Sequence, residues 1–215
     1  MDKVSKAAER RQRILRAAGA VFSEHGYAGA SMAQIATAAG ASKETLYSYF
    51  GDKLGLLREA LTSLVQAPDR TANLALSAEP ASPEEFESLL GDIAQALVAD
   101  LMQPAYLALA RVVVAETPRN PGLADQFKAA VADRAIGEVA AVLNAGRERG
   151  LVDPAIDTEP AARALIGSLL TYVLLDGLLR HPSEIQPPAA DAIRAQAALF
   201  HRAIRAPRHP DQEIP

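Results

Sequence analysis

Residues 31–53 read Ser31-Met32-Ala33-Gln34-Ile35-Ala36-Thr37-Ala38-Ala39-Gly40-Ala41-Ser42-Lys43-Glu44-Thr45-Leu46-Tyr47-Ser48-Tyr49-Phe50-Gly51-Asp52-Lys53. Ser31 and Gln34 have the spacing of a capping box, in which a hydroxyl and an amide satisfy each other's free backbone N–H groups at a helix start. Gly40 closes that helix, and Ser42 caps a second one of about two turns. The stretch therefore predicts two short helices joined by a glycine turn. In the second helix Leu46 and Phe50 lie one turn apart and face inward. Glu44, Thr45 and Ser48 face away from them, with Lys43 and Tyr47 on the flanks.

A helix-turn-helix places a second helix of this kind in the DNA major groove. Lys43 can bond guanine N7 and O6 or a phosphate, and the Thr45 methyl can touch a thymine methyl. The Tyr47 and Tyr49 phenols can donate hydrogen bonds to the DNA backbone. Ser31 and Lys53 stand at helix starts, where free N–H groups and the dipole favour a phosphate. Phosphate contacts fix register and base contacts specify sequence. Lys43, Thr45 and Tyr47 are therefore assigned to reading, and Ser31, Tyr49 and Lys53 to positioning. Glu44 has two readings: it accepts from cytosine N4, or it partners the positive end of its own helix.

Upstream, a helix is expected from about Ser5 to His25, ending at Gly26. Ile14, Leu15, Ala18, Val21 and Phe22 form its apolar stripe, and Arg10, Arg11, Arg13 and Arg16 occupy its other faces. The whole chain has a net charge of −4, which by itself argues against a nucleic-acid partner. Its distribution argues the other way. Residues 1–53 carry 8 Lys and Arg against 5 Asp and Glu, whereas the remainder carries 14 against 21. A basic head on an acidic body fits a DNA-reading end attached to a body with another task.

Residues 10–56 resemble the DNA-binding domain of TetR-family transcriptional regulators. The resemblance is carried by Phe22-Ser23-Glu24-His25-Gly26-Tyr27, Ile35-Ala36-Thr37-Ala38-Ala39-Gly40, Ser42-Lys43-Glu44-Thr45-Leu46-Tyr47, and Tyr49-Phe50 with Lys53 and Leu54. Two positions depart from the pattern. Ala33 stands near a point where some members carry a base-contacting Arg or Thr, and Gly51-Asp52 adds no positive charge beside Lys53. The stretch Val112 to Pro121 is similar to one type of C-terminal region in that family. The resemblance implies an all-α homodimer with one head per subunit on a palindromic, double-stranded operator. It also implies a body that binds a small-molecule effector and adjusts the spacing of the two heads.

The remaining sequence predicts helices throughout. One starts near Asp52, with Leu54, Leu57, Leu61 and Leu64 on its buried edge, and Pro68 should kink or end it. A turn is expected at Ala78-Glu79-Pro80-Ala81. Ser82-Pro83-Glu84-Glu85 combines a cap, a first-turn proline and two acids, and opens a helix through Phe86, Leu90, Ile93 and Leu97 to Leu101. Pro104 opens another, to Glu116. Asn120-Pro121 opens a long one ending near Gly150. Asp157 caps the next, to about Arg180, and Pro187-Pro188 introduces the last, ending before Pro207. The fold class is thus all-α with about nine helices: a helix-turn-helix head over 1–51 and a ligand-binding and dimerisation bundle over 52–206. Residues 52–67 form the connector helix, and 207–215 are a tail expected to be disordered.

The helix from about Thr158 to Arg180 is apolar nearly all round and must be covered on every side. Leu165, Leu169 and Val173, with Ala197 and Phe200 of the last helix, are expected to pair with their copies across a two-fold axis. Gly167 and Ser168 would allow close approach. For an apolar or aromatic effector, Met102, Tyr106, Leu109, Val113, Phe127 and Tyr172 are candidate pocket residues, with Arg111 or Glu116 as polar anchors.

The chain contains no cysteine, which removes disulfides, thiolate catalysis and zinc fingers. Its four histidines lack metal-ligand spacing, and surface or capping roles are expected for them. No catalytic or cofactor motif is present, so neither an enzyme nor a cofactor is expected. The apolar run Ala164 to Leu179 reads as short for a bilayer and contains Asp176, and the N-terminus reads as a charged helix, not a secretory signal. A soluble, cytoplasmic protein without a membrane partner is expected. The alternative to a regulator is a helical small-molecule-binding or interaction protein lacking specific DNA binding.

Overall fold

The computed structural model describes residues 3–65 and 80–206. The expected kink at Pro68, the first half of the turn at Ala78-Glu79, the Leu64 side chain and the 207–215 tail lie outside the described residues. Within them the chain is all-α, with nine helices: α1 (Lys3–Gly29), α2 (Met32–Ala39), α3 (Lys43–Phe50), α4 (Lys53–Val65), α5 (Pro83–Leu101), α6 (Pro104–Glu116), α7, α8 (Thr158–Leu178) and α9 (Ala190–Ile204). Helix α7 runs through Pro121–Phe127, a π-helical turn Lys128–Asp133, and Arg134–Glu148. A second π-helical turn, Val173–Leu178, ends α8. The π turns were not legible in the sequence, because they insert residues into a helix without altering its polarity.

Local signals place most helix ends. The Ser31–Gln34 capping box is formed at the start of α2. The Ser82 hydroxyl accepts from the Glu85 N–H at 3.2 Å, and Asp157 accepts from the Glu159 N–H at the start of α8. Helix α1 loses regular geometry at Gly26, where φ is +66° and ψ 176°. A side chain there would be strained, which is why the expected stop falls on this glycine.

The helices form two compact units. In one, α1–α4 share a core with α6 and the first segment of α7: Ile14, Ala18 and Phe22 meet Ile35, Leu46, Leu56 and Leu57, joined by Leu109, Val112, Val113 and Leu123. This division differs from the one at residue 52 read from the sequence. The connector α4 turns Leu56, Leu57 and Leu61 into the head's core, and α6 adds its own apolar face there. In the other unit, α5 packs on α9 and the last segment of α7 packs on α8. Phe86, Leu90, Ile93, Val139, Leu143, Leu165, Leu169, Ile193 and Ala197 are buried in it.

Helix α8 starts at Thr158, as the Asp157 cap predicts, ahead of the apolar run from Ala164. It has 21 residues, of which an 18-residue window has a mean hydropathy of 1.4, and by length and composition it could cross a membrane.

Candidate nucleic-acid interface

Two short helices carry the residues assigned to reading, and each is closed by its own caps. Gly40 adopts φ +58°, ψ 44°, and its N–H returns to the Ala36 and Thr37 carbonyls. The Ser42 hydroxyl then accepts from the Thr45 N–H at 3.2 Å and starts α3. Leu46 is fully buried and Phe50 is 7% exposed, so α3 is pinned by one side. The opposite side leaves Lys43, Glu44, Tyr47, Ser48 and Tyr49 exposed and Thr45 half-buried. Tyr47 is 51% exposed. The arrangement expected of Leu46 and Phe50 holds, and it brings Lys43, Thr45 and Tyr47 onto one short helix.

Several of these groups already have protein partners. The Ser31 hydroxyl donates to Gln34 Oε1 at 2.7 Å and accepts from the Gln34 N–H at 3.2 Å, leaving it limited capacity for a phosphate. The Glu44 carboxyl is held below the usual carboxylate range by its own backbone N–H first, then by the Ser42 hydroxyl, with Lys43 adding to the effect. That geometry favours the dipole-partner reading of Glu44 over a cytosine contact. Thr45 Oγ1 lies 3.0 Å from Ser42 Oγ and accepts from Arg10 Nη2 at 3.2 Å.

Lys53 is the largest departure from the expected set. Its ammonium donates to the Tyr27 carbonyl at 2.7 Å and the Ala30 carbonyl at 2.9 Å, and lies 4.3 Å from the centre of the Tyr27 ring. It ties the end of α1 to the start of α4. Burial, then Asp52 and Glu116, push the Tyr27 phenol above its ordinary value. Asp52 itself caps α4, accepting from the Gly55 N–H at 2.6 Å. The cationic faces of α1 divide similarly. Arg11 pairs with Glu59 and lies 5.7 Å from the Phe50 ring centre, and Arg13 donates to the Ala39 carbonyl at 3.0 Å.

The comparisons with known proteins agree with this geometry. Residues 14–60 match the family described as bacterial regulatory proteins, tetR family, and residues 88–203 match the AefR-like transcriptional repressor C-terminal domain. The chain belongs to the TetR family. The transcriptional regulator UidR of Escherichia coli is 29% identical over 197 residues, covering 91% of this chain and 95% of UidR. A transcriptional repressor of Streptomyces coelicolor is 30% identical over 146 residues, covering 67% of this chain and 68% of the repressor. The crystal structure of a TetR-family regulator from Mesorhizobium loti superposes with a TM-score of 0.75 at 28% identity, covering 91% of this chain and 95% of that one. As a TetR-family member the protein is a DNA-binding transcriptional regulator, not an enzyme.

In the TetR-family body the other assigned residues lie in varied surroundings. Leu109 and Val113, expected in a pocket, are 1% and 3% exposed and belong to the core that α6 shares with the head. Their helical spacing could not say which neighbour they would meet. Met102 is buried, and the half-buried Tyr106 and Phe127 rings stand 6.1 Å apart. Burial raises the Tyr106 phenol to about 12. Glu116 is 9% exposed and accepts from the Asn120 amide at 3.4 Å, so it is held by its own helix end. Arg111 is half-buried in the same unit, and Tyr172 is half-buried in the other.

Two clefts are lined by different residues. One of 410 Å³ is bounded by Glu87, Gly91, Leu151, Arg194, His201 and Arg205, among others, and one of 320 Å³ by Tyr49, Phe50, Arg58, Glu59 and Gln126, among others.

The expected pairing residues also need correction. Leu165, Leu169, Val173 and Ala197 are at most 6% exposed and fill the core of their own unit, while Phe200 is half-buried. The exposed apolar face lies one step around the helix, at Leu170 (42%), Leu174 (45%) and Leu175 (56%), and continues at Leu179 (68%) just past its end, with Leu199 (56%) on α9. Gly167 and Thr171 are exposed on α8 as well. Among the histidines, His25 is at the surface and His181 caps the turn at Ser183, as expected. His201 is 3% exposed, with Nδ1 3.0 Å from Glu87 Oε2 and its ring against Phe86. Its position on the buried face of α9 follows Ile193 and Ala197 at helical spacing, a signal that was available in the sequence. His209 lies outside the described residues.

Proposed function

We propose that the protein binds a palindromic operator as a homodimer, represses transcription from it, and is released by a small, mainly apolar or aromatic effector. The observation that carries the reading is the exposed polar face of α3, with Lys43, Tyr47 and Tyr49 standing on a helix that Leu46 and Phe50 anchor. Lys43, Thr45 and Tyr47 read bases. Tyr49 and Ser31 position the helix on the backbone, and Lys53 contributes mainly by holding the head together. Repression is supported by the matched C-terminal family and the Streptomyces coelicolor relative, both described as transcriptional repressors. A DNA-binding protein of this kind works in the cytoplasm.

Pairing is supported by the leucine face of α8 and α9. Five exposed leucines, on two adjacent helices and just past the end of α8, are an unusual surface for a monomer, and a second copy would cover them. Exposed Gly167 offers a point of close approach. The same cover accounts for the length and hydropathy of α8 without a membrane. Two recognition helices must then stand about one DNA turn, roughly 34–36 Å, apart.

Effector response is supported by α6, which carries Tyr106 toward one end and Val112 and Val113 within the head's core. Seven residues separate Tyr106 from Val113, about 10 Å along a helix, so a ligand against the Tyr106–Phe127 pair would move the support of α1 and α4. Met102, Arg111 and Glu116, in the same unit, are the further candidates for that site. An effector shifts the state only through its different affinities for the two arrangements.

The test is fluorescence anisotropy with duplex taken from upstream of the protein's own gene, against a scrambled duplex of equal length, across a salt series. The expected result is a preference for the native duplex and a steep loss of affinity with salt. Equal binding to both duplexes would sink the regulator reading and leave a helical binding protein without specific DNA recognition.

A further inference from the structure

We propose that the DNA-contacting surface extends from α3 onto the first helix, where Arg10 and Lys6 engage a backbone phosphodiester beside the bases that α3 reads; this rests on α3 being the recognition helix. Three basic residues of α1, Lys6, Arg10 and Arg13, are spaced four and three apart and so share one helix face. Two of them show where that face points. Arg13 Nε donates to the Ala39 carbonyl at the end of α2, and Arg10 Nη2 donates to Thr45 Oγ1 at the start of α3. The face therefore runs along the helix-turn-helix, and Lys6, one turn further out, is exposed on it.

The four arginines of α1 are not equivalent. Arg11 is neutralised by Glu59, and Arg13 is bound to a carbonyl. Arg10 is exposed, and among the described residues it makes no hydrogen bond or ion pair apart from the one to Thr45. A guanidinium has five N–H donors in a planar fork suited to phosphate. One N–H on Thr45 aims the fork along α3 and leaves the others for a ligand. Lys6 is likewise exposed without a partner among the described residues. The acid on α3, Glu44, is occupied by its own backbone N–H and the Ser42 hydroxyl. Arg10 thus has two tasks: it fixes the Thr45 hydroxyl, and it supplies positive charge where the DNA backbone flanks the recognition helix. That chemistry fits a phosphodiester, with no base read directly.

The experiment measures the dependence of binding on salt for the full chain, using a duplex selected from random DNA by the wild-type protein and a scrambled control. Each phosphate contact contributes about 0.9 to the slope of log affinity against log salt. Arg10→Ala should make the slope shallower by about 0.9, and Lys6→Ala with Arg10→Ala by about 1.8. Both should lower affinity for selected and scrambled DNA with unchanged thermal melting, and both should also lose preference at the base pair facing Thr45 because the Arg10 bond to its hydroxyl is gone. Arg10→Lys should restore the slope while weakening preference at the base pair facing Thr45. A wild-type slope in Arg10→Ala would overturn the proposal. If Arg10→Ala melts early, Lys6→Ala decides alone, since that side chain holds nothing in the fold, and an unchanged slope there overturns the proposal too. Failure of the wild type itself to select any duplex marks the loss of the recognition-helix reading, and this inference goes with it.

Discussion

At the scale of single residues, Lys53 illustrates how a side chain's neighbours assign its role. Its ammonium satisfies two carbonyls left open at the end of α1, those of Tyr27 and Ala30. Hydrogen bonds to a charged donor are stronger than neutral ones. Lys53→Ala is expected to lower the unfolding free energy by about 2 kcal/mol, seen as an earlier urea midpoint. An unchanged midpoint together with a shallower salt slope of DNA binding would return Lys53 to the phosphate-contacting set. Tyr106 offers a separate test. Its phenol sits at about 12 in the folded chain because burial disfavours the anion, against an ordinary value of 10.0. The unfolded chain ionises first, so the stabilising difference is intact below about pH 10 and is lost as pH rises toward 12, about 3 kcal/mol in all. Denaturation midpoints at pH 9 and 11.5 should fall further apart in the wild type than in Tyr106→Phe. Equal falls would place the Tyr106 hydroxyl in contact with solvent.

At the scale of the element, glycines within one helix carry opposite expectations. Gly146, on the last segment of α7, faces Phe86 so closely that an added Cβ would lie 2.6 Å from Phe86 Cζ and 3.1 Å from Val152 Cγ2. Phe86 and Val152 are both fully buried and cannot withdraw. Gly137, about two and a half turns earlier, has nothing within 4 Å of its Cβ position. Alanine favours a helix over glycine by about 1 kcal/mol in either place. Overpacking at Gly146 costs about 1–3 kcal/mol and exceeds that gain. Gly146→Ala should lower the melting temperature and Gly137→Ala should raise it; two shifts of the same sign would refute the packing argument. Helix propensity was readable at both positions, whereas the difference between them comes from Phe86 on α5 and from Val152.

At the scale of the whole molecule, the proposed dimer rests on the exposed leucines. Leu174 and Leu175 lie on the open side of α8, and each buries about 2 kcal/mol worth of apolar surface if a second copy covers it. Leu175→Arg should therefore raise the dimer dissociation constant about thirtyfold or more. Sedimentation would show the monomer fraction rising, and operator affinity should fall with it because two heads are no longer linked. A variant that remains dimeric would place the interface elsewhere. Leu169→Arg should instead damage folding, since Leu169 is 1% exposed within its own unit.

The sequence by itself determined the helices, their starts and stops, and the chemistry carried by the short helix at 43–50. Those features depend on residues a few positions apart: Ser31 with Gln34, Gly40 in its left-handed turn, Ser42 with Thr45, and Leu46 with Phe50 one turn on. It also marked α8 as a helix needing cover on more than one side. Only the tertiary structure decided which partner each face meets. Leu109 and Val113 look the same in sequence whether they line a cavity or support a head. Leu169 and Leu170 differ in role by a single step around the helix, and His201 becomes a core residue only because Phe86 and Glu87 arrive from α5. The physical reason is range. Caps and turns are made within the chain's next few residues, while burial, ion pairing and the aim of a lysine or arginine are fixed by elements far away in sequence.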